Sequence, residues 1–225
     1  MKRHLVETGD GSHSLFVPAL NEQYHSWHGA LSESRHVFVE MGLRSVVAGL
    51  PAGEAVRILE IGFGTGLNAL LTLQAGDREV WYTGVEAYPL LEAEVQQLNY
   101  PAKTGEAHAA MHFAQLHAVD WGGWQVVVPD FHLFKMNARI EDFRLDERVH
   151  LVYFDAFAPD KQPELWTSEV FARMYEMLLP GGRLTTYCAK GAVRRTMASV
   201  GFSVERCAGP PGKREMLCAN KLARV

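Results

Sequence analysis

Glu60-Ile61-Gly62-Phe63-Gly64-Thr65-Gly66 is the first stretch of the chain whose residue types and spacing could do chemistry. Glycines at alternate positions let a backbone turn sharply and bring bare amides close to a ligand at a helix N-terminus. Twenty residues after Gly66 stands Glu86, at the end of an apolar run, where a carboxylate can accept both hydroxyls of a ribose. The pair predicts an adenosine-containing ligand, whereas glycines alone would also suit a tight turn that binds nothing. Leu67 stands where the dinucleotide pattern G-x-G-x-x-G wants its last glycine, which disfavours NAD. Glu60 would repel a pyrophosphate and suits a ligand with a cationic end. S-adenosylmethionine has one, in its sulfonium and ammonium groups.

The elements that must position this turn alternate strand-like and helical runs, the pattern of parallel βαβ units. Residues 56–61 read as the first core strand, running through the glycines into a helix over 67–75. A strand over 80–86 and a helix over 90–98 opened by Pro89 follow. Strands are expected at 131–136, 149–154 and 183–189, with a helix from Pro163 ending in Leu178-Leu179-Pro180-Gly181-Gly182 before the last. A helix over 192–200 and two short strands, 202–207 and 214–219, bring the expected total to seven strands. Residues 1–55 read as an N-terminal extension, a hairpin over 4–17 around Gly9-Asp10-Gly11 and a helix over 31–50. Residues 56–225 read as the core of a single domain, with an insertion at about 100–130.

Taken together, these features resemble the class I S-adenosylmethionine-dependent methyltransferases over residues 56–219. The resemblance implies a Rossmann-like α/β fold with a mostly parallel seven-stranded sheet and an antiparallel terminal strand. It also implies cofactor contacts at Glu60, Gly62, Phe63, Gly64, Thr65, Gly66, Asn68 and Glu86. After the third strand it implies contacts at Asn137 and Ala138, where an amide could bond the adenine.

The second candidate is residues 154–166, Phe-Asp-Ala-Phe-Ala-Pro-Asp-Lys-Gln-Pro-Glu-Leu-Trp, leaving the carboxyl end of the fourth core strand. Ligands of doubly wound sheets bind outside those ends, so this loop should border both the cofactor and the transferred methyl. Asp155 could orient an amine nucleophile and accept its proton, since an alkylammonium has no lone pair with which to attack. Capping the following turn is its structural alternative.

This loop narrows the resemblance. Asp155-Ala156-Phe157-Ala158-Pro159, with Gln162-Pro163-Glu164-Leu165-Trp166 downstream, is similar to the methyltransferase domain of the bifunctional MnmC tRNA-modifying enzymes and its stand-alone form, MnmD. Tyr24-His25-Ser26, His28-Gly29-Ala30, Glu33-Ser34, the helix from Gly191 to Arg195 and Gly212-Lys213-Arg214-Glu215-Met216-Leu217 agree with it. The family implies methylation of the exocyclic amine of 5-aminomethyl-2-thiouridine at the tRNA wobble position. Its bifunctional members add a flavin-dependent oxidoreductase domain, so this chain is expected to receive the free amine from a separate enzyme.

The whole chain has a formal charge of −4, but residues 1–182 hold 13 Lys and Arg against 24 Asp and Glu, and residues 183–225 hold 9 against 2. The basic C-terminal fifth, with Lys190, Arg194, Arg195, Arg206, Lys213, Arg214, Lys221 and Arg224, would attract tRNA phosphates near the mouth of the late strands. A solvated helix face with a basic tail is its bland reading. RNA bases are read when splayed out, which makes Tyr24, Phe157 and Trp166 stacking candidates, with Pro159, His25, Ser26 and His28 beside them. His25-x-x-His28 has no further ligand at metal spacing and is not expected to bind one. Cys188, Cys207 and Cys218 form no C-x-x-C pair and read as reduced packing residues. With no signal-peptide core and no apolar stretch near ~20 residues, a cytoplasmic protein is expected. Two rivals stay open: a small-molecule amine transferase of the same fold, which would want an acidic pocket, and a non-catalytic RNA-binding module.

Overall fold

Val56–Ile61 (β4) is apolar at most positions, and Val56, Ile58, Leu59 and Glu60 are fully buried, as expected of a strand covered on both faces. In the computed structural model, which describes residues 1–76 and 78–223, β4 pairs in parallel with Val80–Glu86 (β5) on one side and Val149–Phe154 (β8) on the other. Outward from β5 lies Phe131–Asn137 (β7), and outward from β8 lies Leu178–Thr186 (β9), both parallel. Glu215–Asn220 (β11) runs antiparallel to β9, and Ser203–Ala208 (β10) antiparallel to β11. This is the expected α/β sheet with its antiparallel terminal strand.

The chain leaves β4 toward β5 and β7, then returns to the far side of β4 as β8. A crevice opens outside the carboxyl ends of β4 and β8 at that switch point, where such sheets bind ligands. The glycine turn and Asp155 both emerge there, tied together by the Asp155 N–H donating to the Ile61 carbonyl.

The sheet has eight strands rather than seven. The extra one, Trp124–Val128 (β6), forms an antiparallel hairpin with β7 at the edge. Its indole packs edge-on to Trp81, at 5.0 Å, and against Phe134. The rest of the expected insertion forms the helices Tyr100–Thr104 and Ala109–Ala118. Near the other edge, the helix expected from Pro163 is split into a 3-10 turn, Pro163–Trp166, and the helix Ser168–Met177. Thr167, in extended conformation, divides them and accepts a capping bond from the Val170 N–H. β9 starts at Leu178 and stops at Thr186, short of the expected 189, and the next residue, Tyr187, donates its hydroxyl proton to the Ala156 carbonyl across the crevice.

The N-terminal extension is a three-stranded antiparallel sheet, His4–Glu7 (β1), His13–Val17 (β2) and Glu22–Gln23 (β3), followed by one helical run from Ala30 whose middle, Arg35–Arg44, is wound as a π-helix. Asp10, at the tip of the first hairpin, accepts from the Ser32 N–H (2.9 Å) and hydroxyl (2.8 Å), which fastens the hairpin to the start of that helix. Burial pushes the Asp10 carboxyl up, but bonds from Ser12 and Ser32 outweigh it and hold it at about 2. Arg3 reaches the core, donating to the Tyr24 hydroxyl, the Tyr88 carbonyl and Glu94. No helix among the described residues is long and apolar enough to cross a membrane.

Candidate active site

The glycine turn is built by backbone geometry. Gly62 has φ +89°, and a Cβ there would lie 2.6 Å from the Asp155 carbonyl oxygen, so only glycine lets the ends of β4 and β8 close together. Gly64, at φ +51°, packs under the Tyr24 ring, and Gly66 opens the helix Leu67–Gln74 from a left-handed conformation. The Gly64 N–H donates to Glu86 Oε2 (2.9 Å), and the Tyr88 N–H to Glu86 Oε1 (2.8 Å). These bonds fix the carboxylate and leave each oxygen a further lone pair. Behind the turn, the Tyr100 hydroxyl donates to Thr65 Oγ1 and His117 Nε2 to the Thr65 carbonyl. Phe63 packs against Gly84.

On the other side of the crevice, acidic groups are linked through one amide. Asn68 Nδ2 donates to Glu60 Oε1 (2.7 Å) and to Asp155 Oδ2 (2.8 Å), while Tyr82 donates to Glu60 Oε2 (2.8 Å). Glu60 is fully buried, and burial followed by the Asp155 charge drives its carboxyl well above the usual range. For Asp155, burial and then Glu33 push the carboxyl up, against the Asn68 hydrogen bond and Lys213, to about 7. A carboxylate poised there can take or give a proton near neutral pH.

The extension covers this crevice. Tyr24 meets Phe157 edge-on at 5.1 Å and donates no proton at neutral pH, since burial, followed by the Glu86 charge, pushes its phenol up to about 12. His25 is enclosed between Ser14 (3.1 Å) and Thr65 (3.4 Å), and burial lowers it to about 4, so it is neutral. Ser26 donates its N–H to Glu33 and accepts from the His28 N–H, while the His28 ring lies over Gly212. Lys213 Nζ lies 2.6 Å from Glu33 Oε2 and 4.2 Å from the centre of the Tyr187 ring.

These groups enclose a cavity of about 440 Å³, within the usual range for cofactor sites. The structure brings Tyr24, His25, Ser26, His28, Gly62, Phe63, Gly64, Thr65, Asn68, Glu86, Ala138, Asp155, Phe157 and Lys213 onto its wall. It leaves Glu60, Gly66, Asn137, Pro159, Lys190, Arg194, Arg195 and Arg214 off it. Glu60 points inward to Asn68 and Tyr82, and Asn137 ties the strand ends by donating to the Glu86 carbonyl (2.9 Å). Trp166 is buried and donates to the Phe157 carbonyl, bracing the loop rather than lining the site.

Among the basic residues, Lys190 pairs with Asp160 and Arg206 with Glu215. Lys221 is not at the mouth, because β11 runs antiparallel; it donates to the Tyr175 and Leu178 carbonyls at the opposite end of β9. Arg224 lies outside the described residues. Glu33, Tyr187, Arg139, Ile140 and Trp27, none of which the sequence marks with a role, also line the cavity; Trp27 is 60 % exposed. Ile140 carries a usable signal, lying just past the carboxyl end of a core strand, whereas Tyr187 falls inside the expected strand 183–189 and reaches the site only because β9 stops at Thr186.

The lining has the chemistry of a site for a cationic adenosine ligand: Glu22, Glu33, Glu86, Glu141, Asp155 and Glu164 stand against Arg139 and Lys213. The glycine turn and the fixed Glu86 carboxylate supply the features that a methionine-linked ribose requires.

Comparison with known proteins agrees. The chain is 34 % identical over 206 residues to the tRNA 5-methylaminomethyl-2-thiouridine biosynthesis bifunctional protein MnmC of Ectopseudomonas mendocina, a match covering 86 % of this chain and 31 % of that protein. It is 33 % identical over 217 residues to the MnmC of Pseudomonas fluorescens, covering 88 % and 32 %. It thus spans about a third of the length of these curated relatives. The crystal structure of MnmC2 from Aquifex aeolicus superposes with a TM-score of 0.80 at 26 % identity, covering 100 % of this chain and 71 % of that one. Streptomyces venezuelae DesVI, at 14 % identity and a TM-score of 0.50, shares the fold. Residues 88–222 match the family described as S-adenosyl-L-methionine-dependent methyltransferase. The chain belongs to that family, and its cofactor is S-adenosylmethionine.

Proposed function

We propose that this chain transfers a methyl group to the primary amine of 5-aminomethyl(-2-thio)uridine at the tRNA wobble position, giving 5-methylaminomethyl(-2-thio)uridine and S-adenosylhomocysteine. The MnmC relatives and the motifs shared with that family support the reading. The observation that carries it is Asp155, on the cavity wall beside the glycine turn with its proton affinity raised to neutrality.

When bound, the cofactor supplies an electrophilic methyl on its sulfonium. In this reading the backbone at Gly62, Phe63, Gly64 and Thr65, with Asn68, would hold its methionine end, Glu86 would accept from the ribose hydroxyls, and Ala138 would bound the adenine. Gly66 shapes the turn, Glu60 acts on the site through Asn68, and Asn137 fixes the strand ends. Asp155 orients the amine and takes its proton, so that the lone pair faces the methyl. Alignment of this kind can contribute about 7–11 kcal/mol.

Residues 1–55 cover the site and 56–225 form the catalytic core. Tyr24, Ser26, His28, Phe157 and Pro159 border the target base, Lys213 faces it from the cavity wall, and Lys190, Arg194, Arg195 and Arg214 lie on the path of the tRNA. The substrate must arrive as the free primary amine, so a separate activity supplies it, in the cytoplasm where tRNA is modified.

The acidic lining favours one second reading, methylation of a small free amine. The deciding experiment offers labelled S-adenosylmethionine and tRNA lacking the modification, followed by nucleoside analysis. Label in 5-methylaminomethyl uridine is expected; tight cofactor binding with no label on tRNA would favour the small amine.

A further inference from the structure

Glu33 and Lys213 stand 180 residues apart in the chain and meet on the cavity wall, at 2.6 Å. The proposed transfer gives Glu33 no part, yet it is held in detail. Its Oε1 accepts from the Ser26 N–H (2.8 Å), and its side chain is only 8 % exposed. Lys213 lies over the Tyr187 ring, and Tyr187 donates to the carbonyl of Ala156, the residue after Asp155. The Lys213 side chain is 32 % exposed, so the desolvation cost falls mainly on the Glu33 carboxylate, and a buried charge beside the reacting centre calls for a role.

We propose that the Glu33–Lys213 pair is the positioning device of the acceptor site, fixing the charge around Asp155 so that its carboxylate is free to take the proton of the substrate amine. This rests on the reading of Asp155 given above. The groups facing Asp155 are Glu60 from β4, reached through Asn68; Tyr82 from β5; Tyr100 and Tyr187, neutral phenols held above their ordinary values by burial; and the pair itself. Of these, Glu33 raises the proton affinity of Asp155 and Lys213 lowers it. Without Glu33, the ammonium would be free to pair with Asp155 and hold it as a weakly basic carboxylate. Without Lys213, two carboxylates would face one another and Asp155 would keep its proton. Locked together, the two charges act against each other, so that burial, the largest influence on Asp155, sets its proton affinity near neutrality while no cation pairs with it.

The test follows the side-chain carboxyl carbon of Asp155 by NMR through a pH titration of the full chain, its signal assigned by loss in Asp155→Asn. The parent should titrate near 7, with the midpoint moving up in Lys213→Met and down in Glu33→Gln. Opposite shifts from two variants that break the same ion pair are something a merely structural contact would not produce. Shifts in the same direction, or none, would overturn the proposal. Lys213→Arg and Glu33→Asp keep both charges should the neutral variants fail to fold. Each should leave the midpoint in place, and a large shift in either would overturn the proposal as well. The acid limb of the kcat profile on tRNA should move in the same order, with the affinity for S-adenosylmethionine held. If the carboxyl shifts appear while the parent fails to methylate tRNA, it is the substrate reading that falls.

Discussion

Asp155 holds two opposed requirements in one side chain. Burial beside Glu33 raises its proton affinity to near neutral pH, as the proposed role of base requires, and the same burial makes its ionised form unfavourable in the folded protein. Its folded value of about 7 lies above the ordinary 3.8 of an aspartate, so the folded state binds the extra proton. The penalty is absent below the lower value, grows as pH rises between the two, and is complete above about 7. Asp155→Asn keeps the bond from Asn68 to a side-chain oxygen but cannot ionise. It should lose roughly 10²–10⁴ in kcat, leave the calorimetric affinity for S-adenosylmethionine nearly unchanged, and melt higher than the parent at pH 8 but not at pH 4. A parallel loss of turnover and cofactor affinity would refute the role. His25 runs the other way: held neutral at about 4, it contributes stability that is present above its ordinary value and lost as pH falls.

The elements hold these residues through the close approach of β4 and β8. Gly62→Ala adds a Cβ 2.6 Å from the Asp155 carbonyl oxygen at a φ of +89°, so the strand ends must part. We expect a loss of about 1–3 kcal/mol in thermal or denaturant unfolding, with a larger fractional loss in cofactor binding measured by calorimetry. What could be read from the sequence follows the same division. The glycine turn, Glu86 and Asp155 were legible because each sits at the carboxyl end of an apolar strand, and the parallel topology brings such ends together whatever the connecting lengths. The inward turn of Glu60 was not, because its partners Asn68 and Tyr82 come from the next helix and strand. Strand β6 was hidden for a related reason. Its outward residues are apolar, Trp124 at 46 % and Val126 at 63 % exposed, so polarity does not alternate along the segment, and pairing with β7 is what makes it a strand. Glu33 and Lys213 each stood in a recognisable motif, but no local pattern shows that the ends of the chain meet.

Across the whole molecule, charge is sorted by place. The cavity wall is acidic, while Lys190, Arg194, Arg195 and Arg214 are exposed around the loops and helix that leave β9 and β10. An acidic interior repels phosphate and admits an ammonium; a basic exterior does the reverse. A polyanion bearing one cationic amine on a splayed base fits both, because its backbone stays outside while the amine enters. A small free amine would need only the interior, so the exterior decides between the two substrates. Arg194 and Arg195 stand on the exposed side of the helix Gly191–Ser199, off the cavity wall, where their loss should leave cofactor affinity alone. If tRNA is the substrate, replacing both with Ala should weaken tRNA binding and flatten the slope of log K against log salt by about 1.5, the loss of two phosphate contacts. The comparison is a filter-binding or anisotropy series from low to moderate salt. An unchanged slope with unchanged affinity would place the tRNA elsewhere on the surface, and it would leave the acidic cavity, with its preference for any amine, as the stronger guide to the substrate.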